Sequence, residues 1–323
     1  NRKNGSIIEK TFINEREIIK RICSIFRYSE YYLMNKQTHC PLCKDELKKI
    51  FSTKDYLISG EKFDIVECLT CKLRITSPFP SADIIGDYYN SKDYISHSDE
   101  SKGLFDLIYK FVRSYMLDKK RKLIEKYSVN RNGKLLDIGC GAGHFLNAMK
   151  KTGWNVQGVD ASEKARELVS NSFNLDIKSP LDWLNSDEKY DVITCWHSLE
   201  HIHEPWVYLE KIRTHLNSDG VLVVALPNYN STDAKRYGSS WAAYDTPRHL
   251  YHFTIESMEK IASLCGFSIQ SMHRMNFDSF YVSILSAKHM GKSFFSGVLN
   301  GFNSWLSAMF NRKKCSSLIY IMK

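Results

Sequence analysis

Four cysteines, a glycine-rich turn and a cluster of histidines carry most of the chemistry legible in this 323-residue chain. Cys40-Pro-Leu-Cys43 and Cys68-Leu-Thr-Cys71 are two C-x-x-C pairs with 24 residues between them. Each pair is a knuckle that sets two thiolates on one ion, and two knuckles complete a tetrahedral four-cysteine zinc site. A closed thiolate shell has no open position for a substrate, so the role expected of Cys40, Cys43, Cys68 and Cys71 is structural. The segment Leu135-Leu-Asp-Ile-Gly-Cys-Gly-Ala-Gly-His-Phe-Leu146 runs from a short apolar stretch into glycines and then into a helical pattern. Glycines suit a sharp turn that a ligand approaches without a Cβ in its way, and a nucleotide-type ligand is expected at the carboxyl edge of that strand. A dinucleotide fingerprint would place glycine at 144, where this chain has His144. Asp160 closes the next strand, where a carboxylate can accept both hydroxyls of a ribose.

Histidines gather further on. His197, Glu200, His201 and His203 fall within seven residues, directly after the apolar run Tyr190 to Cys195. His197-Ser-Leu-Glu-His201 spells H-x-x-E-H, a metallopeptidase pattern, but that chemistry needs the motif inside a helix. Here it follows a strand. A second group is Trp241-Ala-Ala-Tyr-Asp-Thr-Pro-Arg-His-Leu-Tyr-His252. From it Arg248 is expected to pair with a substrate phosphate or carboxylate, His249 to act as a base, and Tyr244 and His201 to line the acceptor side.

The elements that must position these groups alternate. Strand patterns at 135–138, 155–159, 190–195, 220–226 and 267–272 are separated by helical patterns, which predicts crossover units and a parallel sheet. The expected fold class is α/β: a Rossmann-like seven-stranded, mostly parallel sheet with helices on both faces, plus a small N-terminal four-cysteine zinc ribbon. The expected segments are a helical stretch over 1–35, the ribbon over 36–80, a helical linker or lid over 81–130, and the main domain over 131–323 with a helical insertion at about 277–314. Within that insertion Phe294, Phe295, Val298, Leu299, Phe302, Trp305, Leu306, Met309 and Phe310 recur at helical spacing and form one apolar stripe. Packing over the cleft or against a twin subunit is the expected use of that stripe. The sharper reading is a peripheral membrane contact through 293–314.

Composition narrows the class. Apolar residues are 43% and charged residues 25%, as in an ordinary globular chain. Nine cysteines, five of them scattered, fit isolated thiols and a metal site in a reducing compartment, so the expected location is cytoplasmic. The net charge of +9 is mild over this length. No dense basic cluster interleaved with aromatics is present, so nucleic acid is not an expected partner.

With the strand, glycine loop, helix and Asp160 in order, the chain resembles the class I S-adenosylmethionine-dependent methyltransferases. Leu136-Asp-Ile-Gly-Cys-Gly-Ala-Gly143 is similar to their first motif, Asp160 to their ribose acid, and Tyr190 to His201 to their fourth-strand motif. The resemblance covers about 104–323, and Ser316 to Met322 looks like the family's final antiparallel strand. It implies S-adenosylmethionine as cofactor, with contacts from Asp137, Gly139, Cys140, Gly141, Asp160 and Ala161, and with Trp196 and His197 beside the sulfonium. Some O-methyltransferases of this kind bind a divalent metal through E-x-x-E-H; here His197 stands in place of the first Glu. The ribbon, Pro78-x-Pro80 and the Asp-x-Pro-Arg-His run resemble a bacterial subgroup, many of whose members work in sugar-nucleotide or surface-polysaccharide pathways. The implied reaction is methylation, at oxygen, of a small-molecule or glycan-type acceptor, with His197 and His249 as catalytic residues. An RNA base methyltransferase and a non-catalytic cofactor-binding scaffold are the alternatives.

Overall fold

The computed structural model describes residues 37–89 and 104–323. The helix expected over 1–35 and the part of the 81–130 connector between 90 and 103 lie outside the described residues.

The main sheet is built from β4 (Lys134–Ile138), β5 (Asn155–Val159), β6 (Ile177–Lys178), β7 (Tyr190–Trp196), β8 (Leu216–Pro227), β10 (Ile269–Arg274) and β11 (Ser317–Met322), in the order β10-β11-β8-β7-β4-β5-β6. Every pairing from β8 to β6 is parallel, and β11 runs antiparallel to both of its neighbours. The seven-stranded, mostly parallel sheet expected from the sequence is therefore present. Strand β8 shows why both faces must be covered. Leu222, Val224 and Leu226 point into one core, and Val221, Val223 and Ala225 into the other, with the period of two that a pleated strand imposes.

Crossover helices supply the cover. They include α2 (His144–Lys150), α3 (Glu163–Phe173), α4 (Pro180–Leu184) and α5 (Pro205–His215), with the long α1 (Leu104–Tyr127) leading in. Two of these starts are chemically marked: Ser162 accepts from the Ala165 N–H before α3, and Ser179 forms a capping box with Asp182 before α4. After β8 come α6 (Thr232–Tyr237), α7 (Ile255–Leu264), α8 (Asp278–His289) and α9 (Phe294–Phe310). The chain leaves β4 toward β5 and β6 on one side and later toward β7 and β8 on the other. The crevice at the carboxyl end of β4 is thus a topological switch point, the place where open α/β sheets bind ligands.

The cysteine segment forms β1 (Leu47–Lys54), β2 (Lys62–Cys68) and β3 (Arg74–Ser77), an antiparallel sheet. Its fourth strand comes from much later in the chain: β9 (Tyr251–His252) pairs with β3. Cys40, Cys68, Cys71, Leu73, Ile75 and Phe79 share a single core with Leu222, Val224 and Tyr320 of the main sheet. The ribbon segment is joined to the main domain by a strand and by a common core.

Arg248 locks that junction. It is 1% exposed, and its guanidinium donates to Asp55 in the β1–β2 turn at 2.9 Å, to Asp245 at 2.7 and 3.0 Å, and to the Tyr88 carbonyl at 3.0 Å. This corrects the sequence reading of Arg248 as a substrate-anion ligand: carboxylates of its own chain occupy the fork. Tyr244 is corrected with it. Its ring is buried, its hydroxyl accepts from Arg74 at 2.6 Å, and it packs edge-on against Phe51 and Trp241.

Replacing Arg248 by Met leaves the buried Asp55 carboxylate without its cation, and a loss of about 3–5 kcal/mol in denaturant-measured stability is expected. Burial alone would raise the Asp55 carboxyl; Arg248 and the N–H groups of Ser59 and Leu57 outweigh it and hold it low. The pair's contribution is therefore complete above about pH 4 and disappears as pH falls through the lower folded value. A loss below about 1 kcal/mol at neutral pH would show that the junction is held elsewhere.

Candidate active site

The glycine turn sits where the sheet demands it. Gly139 and Cys140 both donate to the Val159 carbonyl, at 2.8 and 3.1 Å, so the end of β4 is tied to the end of β5. Gly139, Gly141 and Gly143 all have positive φ (+74°, +51° and +71°), but their surroundings differ. A Cβ on Gly139 would lie 2.4 Å from Ser198, and one on Gly143 2.7 Å from Val169. A Cβ on Gly141 would meet nothing within 4 Å. Two of these glycines serve close packing, and the third faces open space where a ligand can lie.

Asp160 borders that space. One carboxylate oxygen accepts from the Gly141 N–H at 2.8 Å and the other from the Ser162 N–H at 2.9 Å. Ala161 follows it, exposed, and the half-buried Cys140 has its thiol pushed up by burial. Asp137 lies deeper. Its carboxylate is buried, accepts from the Thr194 hydroxyl at 2.6 Å, and is pushed up to about 7 by burial, with Thr194 and Lys120 opposing. Lys120, from α1, stands 4.2 Å over the ring of Trp196, which in turn packs edge-on to Phe145. Sequence reasoning missed Lys120, because a lysine inside Lys119-Lys-Arg-Lys122 looks like any solvated charge run.

His197 follows Trp196 with φ +54°, a left-handed conformation rare for a residue with a Cβ. Its Nε2 is 3.1 Å from Asp278, the first residue of α8, and its Nδ1 is 3.5 Å from Glu200. Burial would lower its pKa; Asp278 first, and Glu200 with it, raise it to about 9. The sequence reading called for a neutral ring at this position, whereas two carboxylates keep this one a charged donor at neutral pH. Asp278 had no signal of its own in the sequence.

Glu200, His201 and His249 present one carboxylate oxygen and two ring nitrogens within 4.8 Å of one another. The His201 Nδ1 lies 3.1 Å from the Arg248 carbonyl, and the His249 Nδ1 lies 2.9 Å from the Ala243 carbonyl. A carbonyl can only accept, which places the proton on Nδ1 of His249 and leaves its Nε2 lone pair bare, whereas the His201 Nδ1 also lies 2.9 Å from the Tyr89 hydroxyl, which can donate to it or accept from it. Neither oxygen of the buried Glu200 takes a hydrogen bond. Glu200, His201 and His249 thus converge, with His197 3.5 Å from Glu200, and their atom types fit a divalent cation held by nitrogen and oxygen, with backbone carbonyls beside both histidines. The neighbouring His203 is spent elsewhere, on the Pro80 carbonyl at 2.9 Å.

The four cysteines also converge. Cys40 and Cys71 bring their sulfurs to 3.5 Å, and Cys43 and Cys68 to 3.2 Å. The set fits a tetrahedral thiolate-bound ion.

A family profile described as a methyltransferase domain matches residues 109–272, just over half of the chain. The chain belongs to this methyltransferase domain family, and its fold is that of the class I S-adenosylmethionine-dependent enzymes. It is 32% identical over 107 residues to the ubiquinone biosynthesis O-methyltransferase of Actinobacillus pleuropneumoniae serotype 5b (strain L20), covering 29% of this chain and 46% of that protein. It is likewise 32% identical over 101 residues to the mitochondrial ubiquinone biosynthesis O-methyltransferase of Schizosaccharomyces pombe (strain 972 / ATCC 24843), covering 28% and 37%. The chain thus spans less than half the length of these curated relatives. Among solved structures, the magnesium protoporphyrin IX methyltransferase of Synechocystis PCC 6803 with bound SAH aligns with a TM-score of 0.50 at 15% identity, over 74% of this chain and 98% of that one.

The thiolate cluster yields a direct prediction. Freshly purified protein is expected to carry about one zinc per chain at the four cysteines, and Cys71→Ser is expected to lose it and to lower the unfolding midpoint, because binding is coupled to local folding. Elemental analysis that finds no metal in the wild type would remove the ribbon's ion.

Proposed function

We propose that the protein transfers a methyl group from S-adenosylmethionine to a hydroxyl oxygen of a small-molecule or glycan-type acceptor. The observation that carries this reading is the convergence of Glu200, His201 and His249, all electron-pair donors, beside His197 at the carboxyl end of β7. Proton-accepting groups are what an alcohol acceptor requires and what a methyl donor does not. The relatives named above, O-methyltransferases of ubiquinone biosynthesis, agree with oxygen as the target.

When bound, S-adenosylmethionine supplies a methyl carbon on a sulfonium, which an acceptor oxygen displaces in line, forming O–C and breaking S–C. The chain's residues align and discharge the reactants. Asp160 would take the ribose hydroxyls on the lone pairs left free by Gly141 and Ser162, and the bare space over Gly141 would admit the amino-acid portion. Asp137 would face its ammonium and Lys120 its carboxylate. Such alignment can lower a barrier by up to roughly 7–11 kcal/mol. The hydroxyl proton passes to the bare Nε2 of His249, and Glu200, 4.0 Å away, steadies the imidazolium that results; burial and the neighbouring His249 hold His201 down to about 4, which makes it the poorer base. A divalent cation at the same three side chains would, when bound, lower the pKa of a hydroxyl instead. Chelation separates the two routes: turnover lost on chelator treatment and restored by a divalent ion supports the cation, and unaffected turnover supports the histidine.

Two results are expected. Asp137 must be ionised to pair with an ammonium, so cofactor affinity is expected to weaken as pH falls through about 7. Asp137→Asn should bind weakly at every pH, with a flat profile in calorimetry. Without ligand the sign reverses for stability. The native state holds this proton more tightly than the unfolded chain, so Asp137 favours the fold below about pH 4 and that contribution is lost as pH rises to about 7. For the acceptor side, Glu200→Gln and His249→Ala are each expected to lower kcat about 10²–10⁴-fold, with cofactor affinity within about twofold of wild type. Full turnover in both variants would move the proton acceptor elsewhere.

A further inference from the structure

The amphipathic helix α9 is mounted inside out. Its small and polar residues face the protein: Gly297, Asn300, Gly301, Ser304 and Ala308 are buried. A Cβ on Gly297 would lie 2.6 Å from the Ile284 Cα, and one on Gly301 2.7 Å from the Phe280 Cα, so α8 and α9 touch backbone to backbone. Side chains fix the rotation of the helix. Asn300 donates to the Tyr237 hydroxyl at 3.0 Å, Ser304 to Asp233 at 2.8 Å, and Thr232 to Ser307 at 2.9 Å. The apolar stripe therefore points outward: Phe295, Leu299, Phe302, Leu306, Met309 and Phe310 are exposed, the first and last at 81% and 87%. The sequence expectation that this stripe packs over the cleft of its own chain is corrected here.

Along the chain the charges that flank the row are of one sign; in space the buried Asp233 lies beneath the helix and Glu256 lies near Lys313. No Asp or Glu follows Asp278 in the sequence, while Lys288 and Lys292 precede α9 and Arg312, Lys313 and Lys314 follow it. All five basic residues are exposed. An uncharged row of 17 helical residues, about 25 Å long, is thus fenced at both ends by cations. No helix among the described residues is long and apolar enough to cross a membrane. A second copy packed face to face on α9 would set cationic ends against cationic ends, whichever way the two helices ran.

We propose that α9 docks the protein in the plane of an anionic lipid bilayer, with its phenylalanines among the acyl chains and its terminal lysines and arginine on the headgroups. Such in-plane binding draws on apolar area and on attraction to anionic lipid together. Because α8 carries Asp278, which touches His197, docking would hold the site's mouth close to the membrane surface.

The test is co-sedimentation of the full chain with vesicles of phosphatidylcholine alone or phosphatidylcholine with phosphatidylserine. Binding to the phosphatidylserine vesicles and little to the neutral ones is expected. The double variant Phe295→Ser/Phe310→Ser should reduce the bound fraction about tenfold, and Lys313→Glu/Lys314→Glu should remove the preference for anionic lipid. Both variants alter exposed side chains, so unchanged circular dichroism and cofactor binding are expected of each, and the latter separates a docking failure from a failure of the methyltransferase reading. Sedimentation that ignores the phosphatidylserine, or that both variants leave intact, would overturn the proposal. So would a concentration-dependent dimer abolished by Phe295→Ser/Phe310→Ser, which would assign the face to a second copy.

Discussion

Gly139 and Ser198 meet where β4 and β7 end, and the approach is so close that a Cβ at 139 would lie 2.4 Å from the serine side chain. Ser198 also donates to the Ile138 carbonyl at 2.7 Å. This contact places the loop that frames the cofactor space against the loop that carries His197, Glu200 and His201. Parallel pairing of β4 with β7 sets the same register from below. A bulkier residue at either position would part the two loops, and the distance between the glycine turn and His197, Glu200 and His201 would grow with them.

The second constraint reaches the site from outside the main sheet. His249 comes from the segment between α6 and α7, and its neighbours are held on the ribbon: β9 pairs with β3, Thr76 donates to the His249 carbonyl at 2.7 Å, and Arg248 is buried against Asp55. Glu200, in turn, accepts the Leu250 N–H on its own carbonyl at 2.9 Å. The four-cysteine ribbon is therefore a positioning device for one wall of the Glu200, His201 and His249 cluster. A buried ion pair contributes little net stability over an apolar replacement, but it is costly to break by halves, and that asymmetry suits a junction that must take one arrangement.

The α8–α9 hairpin follows a different logic. Close helix packing through Gly297 and Gly301 needs small residues on the contact face, and hydrogen bonds from Asn300 and Ser304 to α6 use the polar ones. Once the inner face is assigned that way, the large apolar side chains have only the outer face left. Helical periodicity is the same whether the stripe points in or out, which is why the sequence reading named the stripe but left open whether it covers the cleft, a twin subunit or a membrane.

Local chemistry sufficed for the sheet, the glycine turn and the thiolate pairs. Strand and helix periods differ, positive-φ turns demand glycine, and a C-x-x-C knuckle sets two thiolates on one ion over four residues. Asp137, Asp160 and the four cysteines lie within such segments, and their places could be named without coordinates. The roles of Arg248 and Tyr244 could not, because an arginine beside Pro-x-His reads the same whether its partner is a substrate anion or an aspartate 193 residues away. Lys120 and Asp278 were invisible for the same reason: each acquires its meaning only when α1 and α8 bring it beside Trp196 and His197. Sequence alone determined which side chains were available, since spacing along the chain governs local conformation. Only the tertiary structure decided which of them face one another, since those contacts join residues from distant elements whose pairing no local period encodes.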